Sequence, residues 1–385
     1  MQLIGLENIN KYMIDCLTIT NFKCFADPQT FNLKRLNVFA GYNGRGKSSV
    51  FQTLLLLAQS LVKYGHVEEM EVNGEFVSLD LFEDLVNCNH PDSPISIEIL
   101  QKQPQIDVLL AYREESDRKG KLDELQINDI DYFNSKVSST SGEGETTVHS
   151  LSSEYPKAFH ELLRDFEYVS AFRVGPTKFE EKGDLNKVNP VGRDGEHSLS
   201  VINDYDGLLD KVNCWMDYIM DGVHMSIDGR NKNDSVLKLK MTMREGDKPF
   251  KSLNCGFGYR YVLPIVIAAL TKISGSLFIE NPEAHLHPKA QSRLMEMLCQ
   301  ELGGKNVQIF IETHSEHVIN GVRLNALRTA CPMQYSDVSM YFFDKDYTCI
   351  DITMDSDGQM SNWPKGFFDQ QEVDLSEILK LGLLK

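Results

Sequence analysis

The residues of this chain that invite chemistry come in three clusters. The first, Gly41-Tyr42-Asn43-Gly44-Arg45-Gly46-Lys47-Ser48, fits G-x-x-x-x-G-K-[ST]. In that pattern glycines let backbone N–H groups turn inward onto phosphate oxygens at a helix N-terminus. Asn43, Gly44, Arg45 and Gly46 would then line the phosphate cradle, with Ser49 following them into the helix. Lys47 would reach the β- and γ-phosphates, and Ser48 would ligand Mg²⁺. The ligand pair this implies is ATP and Mg²⁺. The second cluster is the run FIENPEAHLHP at 278–288. A phosphate loop needs a carboxylate at the end of a neighbouring strand to hold the metal, and Ser276-Leu277-Phe278-Ile279-Glu280 supplies one. Glu280 is the expected metal-side acid; its alternative is a carboxylate that merely ends a strand. Asn281 follows directly, and an amide orients water but cannot take its proton. Glu283 is the candidate base, or else a loop carboxylate paired with a nearby cation. His285 and His287 alternate along an extended segment and could face one metal, or could simply form the turn into Pro288. The third cluster is VQIFIETHS at 307–315, where His314 would sense a phosphate and orient water.

These clusters need strands to carry them and helices to follow. IDCLTITNFKCFADPQTFNLKRLNVFAG alternates apolar and polar residues up to the glycine loop, as strands do. SSVFQTLLLLAQSLVKYG then reads as a helix stopped at Gly65. Residues 66–100 contain two further strand-like stretches, VNGEFVSLDLFEDLV and ISIEIL. Residues 113–150 turn polar and end in SSTSGEGETT, the pattern of an insertion or loop. VLKLKMTMRE at 236–245 alternates as a strand. CGFGYRYVLPIVIAALTKI reads as a glycine turn and a long apolar helix. After it come the strand SLFIE, the helix HPKAQSRLMEMLCQEL, the strand of the third cluster and another helix. The last 50 or so residues predict a hairpin and a short terminal helix. The expected fold is α/β, a mixed central sheet flanked by helices. We expect a single unit over 13–385: an N-terminal lobe at about 13–100, an insertion at about 101–165, a C-terminal lobe at about 166–330 and a closing module at about 331–385.

Composition narrows the function classes. With 39 Lys plus Arg against 56 Asp plus Glu, the net charge is -17, so the average surface repels a phosphate backbone. Binding of nucleic acid would need a local basic patch. No run of 18 apolar residues and no signal-peptide layout is present, so we expect no membrane association and a cytoplasmic location. The 8 cysteines are scattered without metal-ligand spacing and read as reduced thiols.

The ordered set GYNGRGKS, FIENPEAHLHP and IETHS resembles the ABC-type ATPases of the SMC-like and OLD branch, a set often filed as AAA-family ATPases. The segment Trp363-Pro364-Lys365-Gly366-Phe367-Phe368-Asp369-Gln370 is similar to bacterial members whose C-terminal module, of unknown function, ends in WP-GFFDQ. In that smaller group Glu-Asn-Pro-Glu is the usual form. The resemblance implies two ATP molecules at a head-to-head dimer interface, each P-loop facing the partner's signature segment. That segment matches Asn254-Cys255-Gly256-Phe257-Gly258-Tyr259-Arg260-Tyr261, where Asn254, Gly256 and Gly258 would approach the phosphate. Here Arg260 and Tyr261 stand where the family form has Ser and Gln. Arg260 could clamp the γ-phosphate or pair with a surface acid. Phe172-Arg173-Val174-Gly175-Pro176 resembles the segment that packs near the nucleotide. The long SMC coiled coil is absent, and too few residues follow His314 for the OLD nuclease domain.

The resulting expectation is a homodimerising, slowly turning ATPase that controls a separate effector such as a nuclease or toxin, in bacterial anti-phage defence. The alternative is an ATP-gated scaffold that seldom hydrolyses. A third reading is a metal nuclease built on Glu283, His285 and His287.

Overall fold

The computed structural model describes residues 13–128, 130–131, 157–174, 179–182, 188–231, 233–242, 248–251, 256–364 and 366–383. Strands β1 (Cys16–Thr20) and β2 (Gln29–Asn32) form a hairpin ahead of β3 (Leu36–Gly41), which runs through the glycine loop into α1 (Lys47–Tyr64). Gly65 ends α1 as expected, with φ +78 and its N–H on the Leu61 carbonyl. After the short β4 (Glu69–Glu71) come β5 (Ile95–Lys102), β6 (Gln105–Ser116), β7 (Lys119–Ile127) and β8 (Ile130–Asp131). The middle of the chain carries α2 (Lys157–Arg164), β9 (Phe166–Val169), β10 (Glu180–Glu181), α3 (Ser198–Asp204), α4 (Leu208–Met220), β11 (His224–Asp228), β12 (Val236–Thr242) and β13 (Phe250–Lys251). The remainder is α5 (Phe257–Thr271), β14 (Ser274–Glu280), α6 (Pro288–Leu302), β15 (Asn306–Thr313), α7 (Glu316–Ala326), β16 (Val338–Phe343), β17 (Cys349–Ile352) and α8 (Gln370–Leu383). From β12 onward, apart from the two-residue β13, the described elements follow the order read from the sequence.

Two expectations need correction. Residues 105–127, assigned to an insertion, hold β6 and β7, strands of a seven-stranded antiparallel sheet ordered β2-β1-β5-β6-β7-β4, with β8 also paired to β7. Their exposed faces are charged, and that half-solvated alternation is what read as loop polarity. Residues 132–156 of that region lie outside the described residues. Conversely, VNGEFVSLDLFEDLV, which begins just after β4, holds no strand, only a helical turn at Glu83–Leu85. Asp80 takes φ +66, and the chain bends so that Val72, Phe76, Val77, Phe82 and Leu85 all drop into the core.

The six-stranded sheet, ordered β17-β16-β3-β15-β14-β9, positions the site. β3, β15 and β14 are parallel neighbours, with Phe39 opposite Glu312, Phe310 opposite Phe278 and Glu280 opposite Glu312. These strands are buried on both faces and so read as unbroken apolar runs. Alternation along them divides the core in two. Val38, Leu277, Ile279, Ile309 and Ile311 face one side, toward α5, α6 and α7. Phe39, Phe278 and Phe310 face the other, toward α1 and the antiparallel sheet. The three rings stack across the strands, Phe278 on Phe310 at 4.5 Å and Phe39 on Phe310 at 6.5 Å, while Phe51 of α1 meets Phe278 edge-on at 5.4 Å. Truncating one such buried ring costs about 3–5 kcal/mol, so α1 is held firmly over the strands whose ends it must face. Among the described residues no helix is long and apolar enough to cross a membrane, and the seven described cysteines are free thiols.

Candidate nucleotide site

The carboxyl ends of β3, β15 and β14 meet at one edge of this sheet, the place where open α/β sheets bind ligands. The loop from β3 into α1 is shaped by glycine at the positions that need it. Gly46 takes φ +108, and a Cβ there would lie 2.6 Å from Cys24 Sγ. It caps α1 without any side-chain cap, and the first turn of α1 carries no acidic residue. The positive end of the helix is therefore left for an anion. Lys47 is buried and donates to the carbonyls of Gly41, at 3.1 Å, and Tyr42, at 2.8 Å. Burial lowers its pKa, while Glu312 and Glu283 act to raise it.

Ser48 Oγ donates to Glu312 Oε1 at 3.0 Å. The structure thus brings beside Ser48 a carboxylate that sequence reasoning passed over. Glu312 hides inside IETHS, where the eye goes to the histidine; the available signal was an acid ending a buried strand, the same signal that singled out Glu280. Burial and then the neighbouring Glu280 push the Glu312 carboxyl up to about 7, against the pull of Ser48 and Lys47. Its Oε2 is buried with no hydrogen-bond partner. Glu280 lies one strand further out, accepting from the Ala171 N–H at 3.2 Å, and burial raises its pKa as well. The orphaned Glu312 oxygen beside the Ser48 hydroxyl fits a divalent cation. Among the described residues no group of three or more His, Cys, Asp or Glu could hold a metal ion, so such an ion would draw its other ligands from phosphate and water, as Mg²⁺ does.

Asn281 takes φ +44, its N–H on the Glu312 carbonyl at 2.8 Å and its Oδ1 buried without a partner. Glu283 is held at both oxygens, by Thr313 Oγ1 at 2.8 Å and the His314 N–H at 2.7 Å. His314 borders the cavity, and partial burial followed by the Lys47 charge lowers its pKa. His285 packs edge-on against Tyr261 at 4.5 Å, and His287 caps α6 by accepting from the Lys289 N–H at 3.3 Å. Both serve the turn. Arg173 is almost fully buried and spans the carbonyls of Glu280 and Asn281, both at 2.6 Å. Burial lowers its pKa to about 10. It therefore stitches the loop after β9 to the end of β14; Gly175 and Pro176 lie outside the described residues.

Of the signature segment, Asn254 and Cys255 also lie outside. Gly256 is exposed at the start of α5, and a Cβ on the buried Gly258 would lie 2.8 Å from the His285 carbonyl, so that glycine answers to internal packing. Arg260 donates to the Val174 carbonyl at 2.8 Å. A cavity of about 880 Å³ opens over the loop, lined by Asn43, Gly44, Gly46, Lys47, Ser48, Ser49, Glu312 and His314 on one side. Lys23, Cys24, Asn87 and Tyr347 are among the residues that line the rest of it. Arg45 turns away from the cradle onto the Tyr347 ring, its guanidinium 4.3 Å from the centroid.

Comparison with known proteins agrees with this geometry. Residues 36–320 match a family described as "AAA domain, putative AbiEii toxin, Type IV TA system", and residues 333–378 match one described as "Protein of unknown function (DUF3696)". The chain is 30% identical over 94 residues to the OLD nuclease of Thermus scotoductus, covering 23% of this chain and 18% of that protein. It is 37% identical over 67 residues to the uncharacterized protein MJECL11 of Methanocaldococcus jannaschii, covering 17% of this chain and 57% of that protein. The chain thus spans less than two thirds of either relative. Its fold is similar to an SMC head bound to the C-terminal winged-helix domain of ScpA, with TM-score 0.50, 10% identity, and coverage of 90% of this chain and 95% of the other. It is similar too to an SMC head with an extended coiled coil, bound to a ScpA C-terminal domain from Pyrococcus furiosus, with TM-score 0.51, 9% identity, and coverage of 95% and 99%. Parallel strands ending in Glu280 and Glu312 beside a glycine-rich loop, a fold like that of SMC heads and a family match over most of the chain converge: this protein belongs to the family described as an AAA domain, putative AbiEii toxin, Type IV TA system.

Proposed function

We propose that the protein is an ATP-dependent switch: it binds ATP and Mg²⁺ at Lys47 and Ser48, dimerises head to head on the nucleotide, hydrolyses it slowly and so controls a separate effector. The observation that carries this reading is the Ser48–Glu312 hydrogen bond beside the orphaned Glu312 oxygen. With Mg²⁺ bound, the metal would supply charge neutralisation at the phosphates, and Ser48 and Glu312 would hold it, with Glu280 behind. Lys47 would leave its two carbonyls for phosphate oxygens. Asn281 and His314 would orient water, and Glu283 would act as base on releasing Thr313 or His314. Gly256, Asn254 and Arg260 of a second copy would close the site. A nuclease or toxin as effector, and a role against phage, accord with the toxin named in the family description and with the nuclease among the relatives. A cytoplasmic setting suits such a role.

The test is Mg²⁺-dependent phosphate release by the purified chain. Lys47→Ala should abolish it, and turnover indifferent to that change would refute the site. A second reading, an ATP-gated scaffold that seldom turns over, is favoured by Asn281, an amide that cannot take a proton, directly after Glu280 and by Glu283 having both oxygens engaged. Glu283→Gln separates the two. If Glu283 is the base, the variant accumulates an ATP-bound dimer; in a non-hydrolysing gate it behaves as the unaltered protein does.

A further inference from the structure

The turn between β16 and β17 belongs to the C-terminal module, yet it reaches the nucleotide cavity, and it does so with an unexpected residue. Tyr347 takes φ +69, a left-handed conformation that Gly or Asn adopts readily and a bulky side chain rarely does. The turn is otherwise well made. The Asp344 N–H donates to the Thr348 carbonyl at 2.9 Å, and Asp346 accepts from the Thr348 N–H at 3.1 Å and hydroxyl at 2.6 Å. Nothing in the turn itself calls for an aromatic residue. The ring does not serve the core either, being 53% exposed. It forms part of the cavity wall that includes Lys47 and Ser48. Arg45, two residues before Lys47, lays its guanidinium over the ring at 4.3 Å, and the Arg45 Nε is buried without a hydrogen-bond partner.

A flat aromatic surface backed by a guanidinium plane, standing beside a phosphate cradle, has the chemistry to stack a nucleobase. We propose that Tyr347, backed by Arg45, is the platform for the base of the bound nucleotide, so that the C-terminal module supplies base binding to a head that supplies phosphate binding. This rests on the reading of Lys47 and Ser48 as the phosphate site. Stacking is tolerant of base identity, so the ligand class is a nucleoside triphosphate, with ATP and GTP held alike by this contact.

The experiment is titration calorimetry on the full chain with Mg²⁺, using a non-hydrolysable ATP analogue and inorganic tripolyphosphate, which has no base. Tyr347→Ala should weaken the analogue about tenfold, as loss of one base–aromatic stack does, and leave tripolyphosphate unchanged. Tyr347→Phe should bind both as the unaltered protein does, which also shows that the turn still folds without the hydroxyl. Lys47→Ala should weaken both ligands. The platform is overturned if Tyr347→Ala leaves the analogue unaffected, or weakens both ligands equally, since the ring would then act only on the cradle through Arg45. Binding of both ligands that survives Lys47→Ala intact would instead overturn the phosphate-site reading, a different signature.

Discussion

Glu312 is the residue on which the site turns. Its pKa is raised from an ordinary 4.5 to about 7, chiefly by burial. The folded chain therefore holds a proton that the unfolded chain releases between those values. Its contribution to stability is complete below about 4.5 and is lost as the pH rises through about 7. Glu167, fully buried on β9, is likewise pushed up to about 7 and acts with the same sign. Without nucleotide, the urea midpoint should fall from pH 6 to pH 8, with Glu312 accounting for about 1 kcal/mol of the loss. Glu312→Gln should flatten that slope without removing it; an unchanged slope would show that the carboxyl is ionised throughout. The same variant should weaken Mg²⁺-dependent nucleotide binding more than metal-free binding.

Among the elements, two junctions hold the site in shape. Arg173 joins the loop after β9 to the end of β14 through two part-buried carbonyls. Arg173→Met keeps the bulk and orphans both acceptors, which should cost roughly 3 kcal/mol in chemical denaturation and lower nucleotide affinity; a cost near zero would mean that the loop repacks freely. The second junction is the C-terminal motif. Gly366 takes φ +87, and a Cβ on it would lie 2.2 Å from Tyr42 Oη in the phosphate loop. Phe367, buried, packs on Phe342 at 5.2 Å and Trp363 at 4.7 Å. Gly366→Ala should cost more than the ~1–2 kcal/mol of left-handed strain and should disturb nucleotide binding. Gly65→Ala is the control: Gly65 has φ +78 and nothing within 4 Å of a Cβ, so it should show the strain alone. Equal costs would argue against a coupling of the motif to the loop.

For the whole molecule, the net charge of -17 works against the association of two copies, because like fields repel beyond the local contacts. Nucleotide-driven dimerisation, measured by analytical ultracentrifugation with ATP and Mg²⁺, should therefore strengthen as salt screens that repulsion. It should persist in Glu283→Gln if Glu283 is the base. A monomer under all these conditions would remove the head-to-head arrangement from the proposal.

Motif spacing alone pointed to Lys47, Ser48, Glu280 and His314 as candidates, because a phosphate loop and strand-terminal acids are local patterns carried by residue type and order; the fold places Lys47, Ser48 and His314 around one cavity. Buried apolar runs likewise marked β14 and β15, since a strand covered on both faces leaves an unbroken hydrophobic trace. What the sequence could not say was which strand stands next to which. Spatial order puts β15, not β14, beside β3, and that single adjacency gives Glu312 rather than Glu280 the hydrogen bond to Ser48. Pairing also turned residues 105–127 from a polar insertion into sheet, and long-range packing brought Tyr347 and Gly366 onto a loop some 300 residues earlier. Neighbours far apart in the chain are chosen by the burial of whole faces, and no local pattern records that choice.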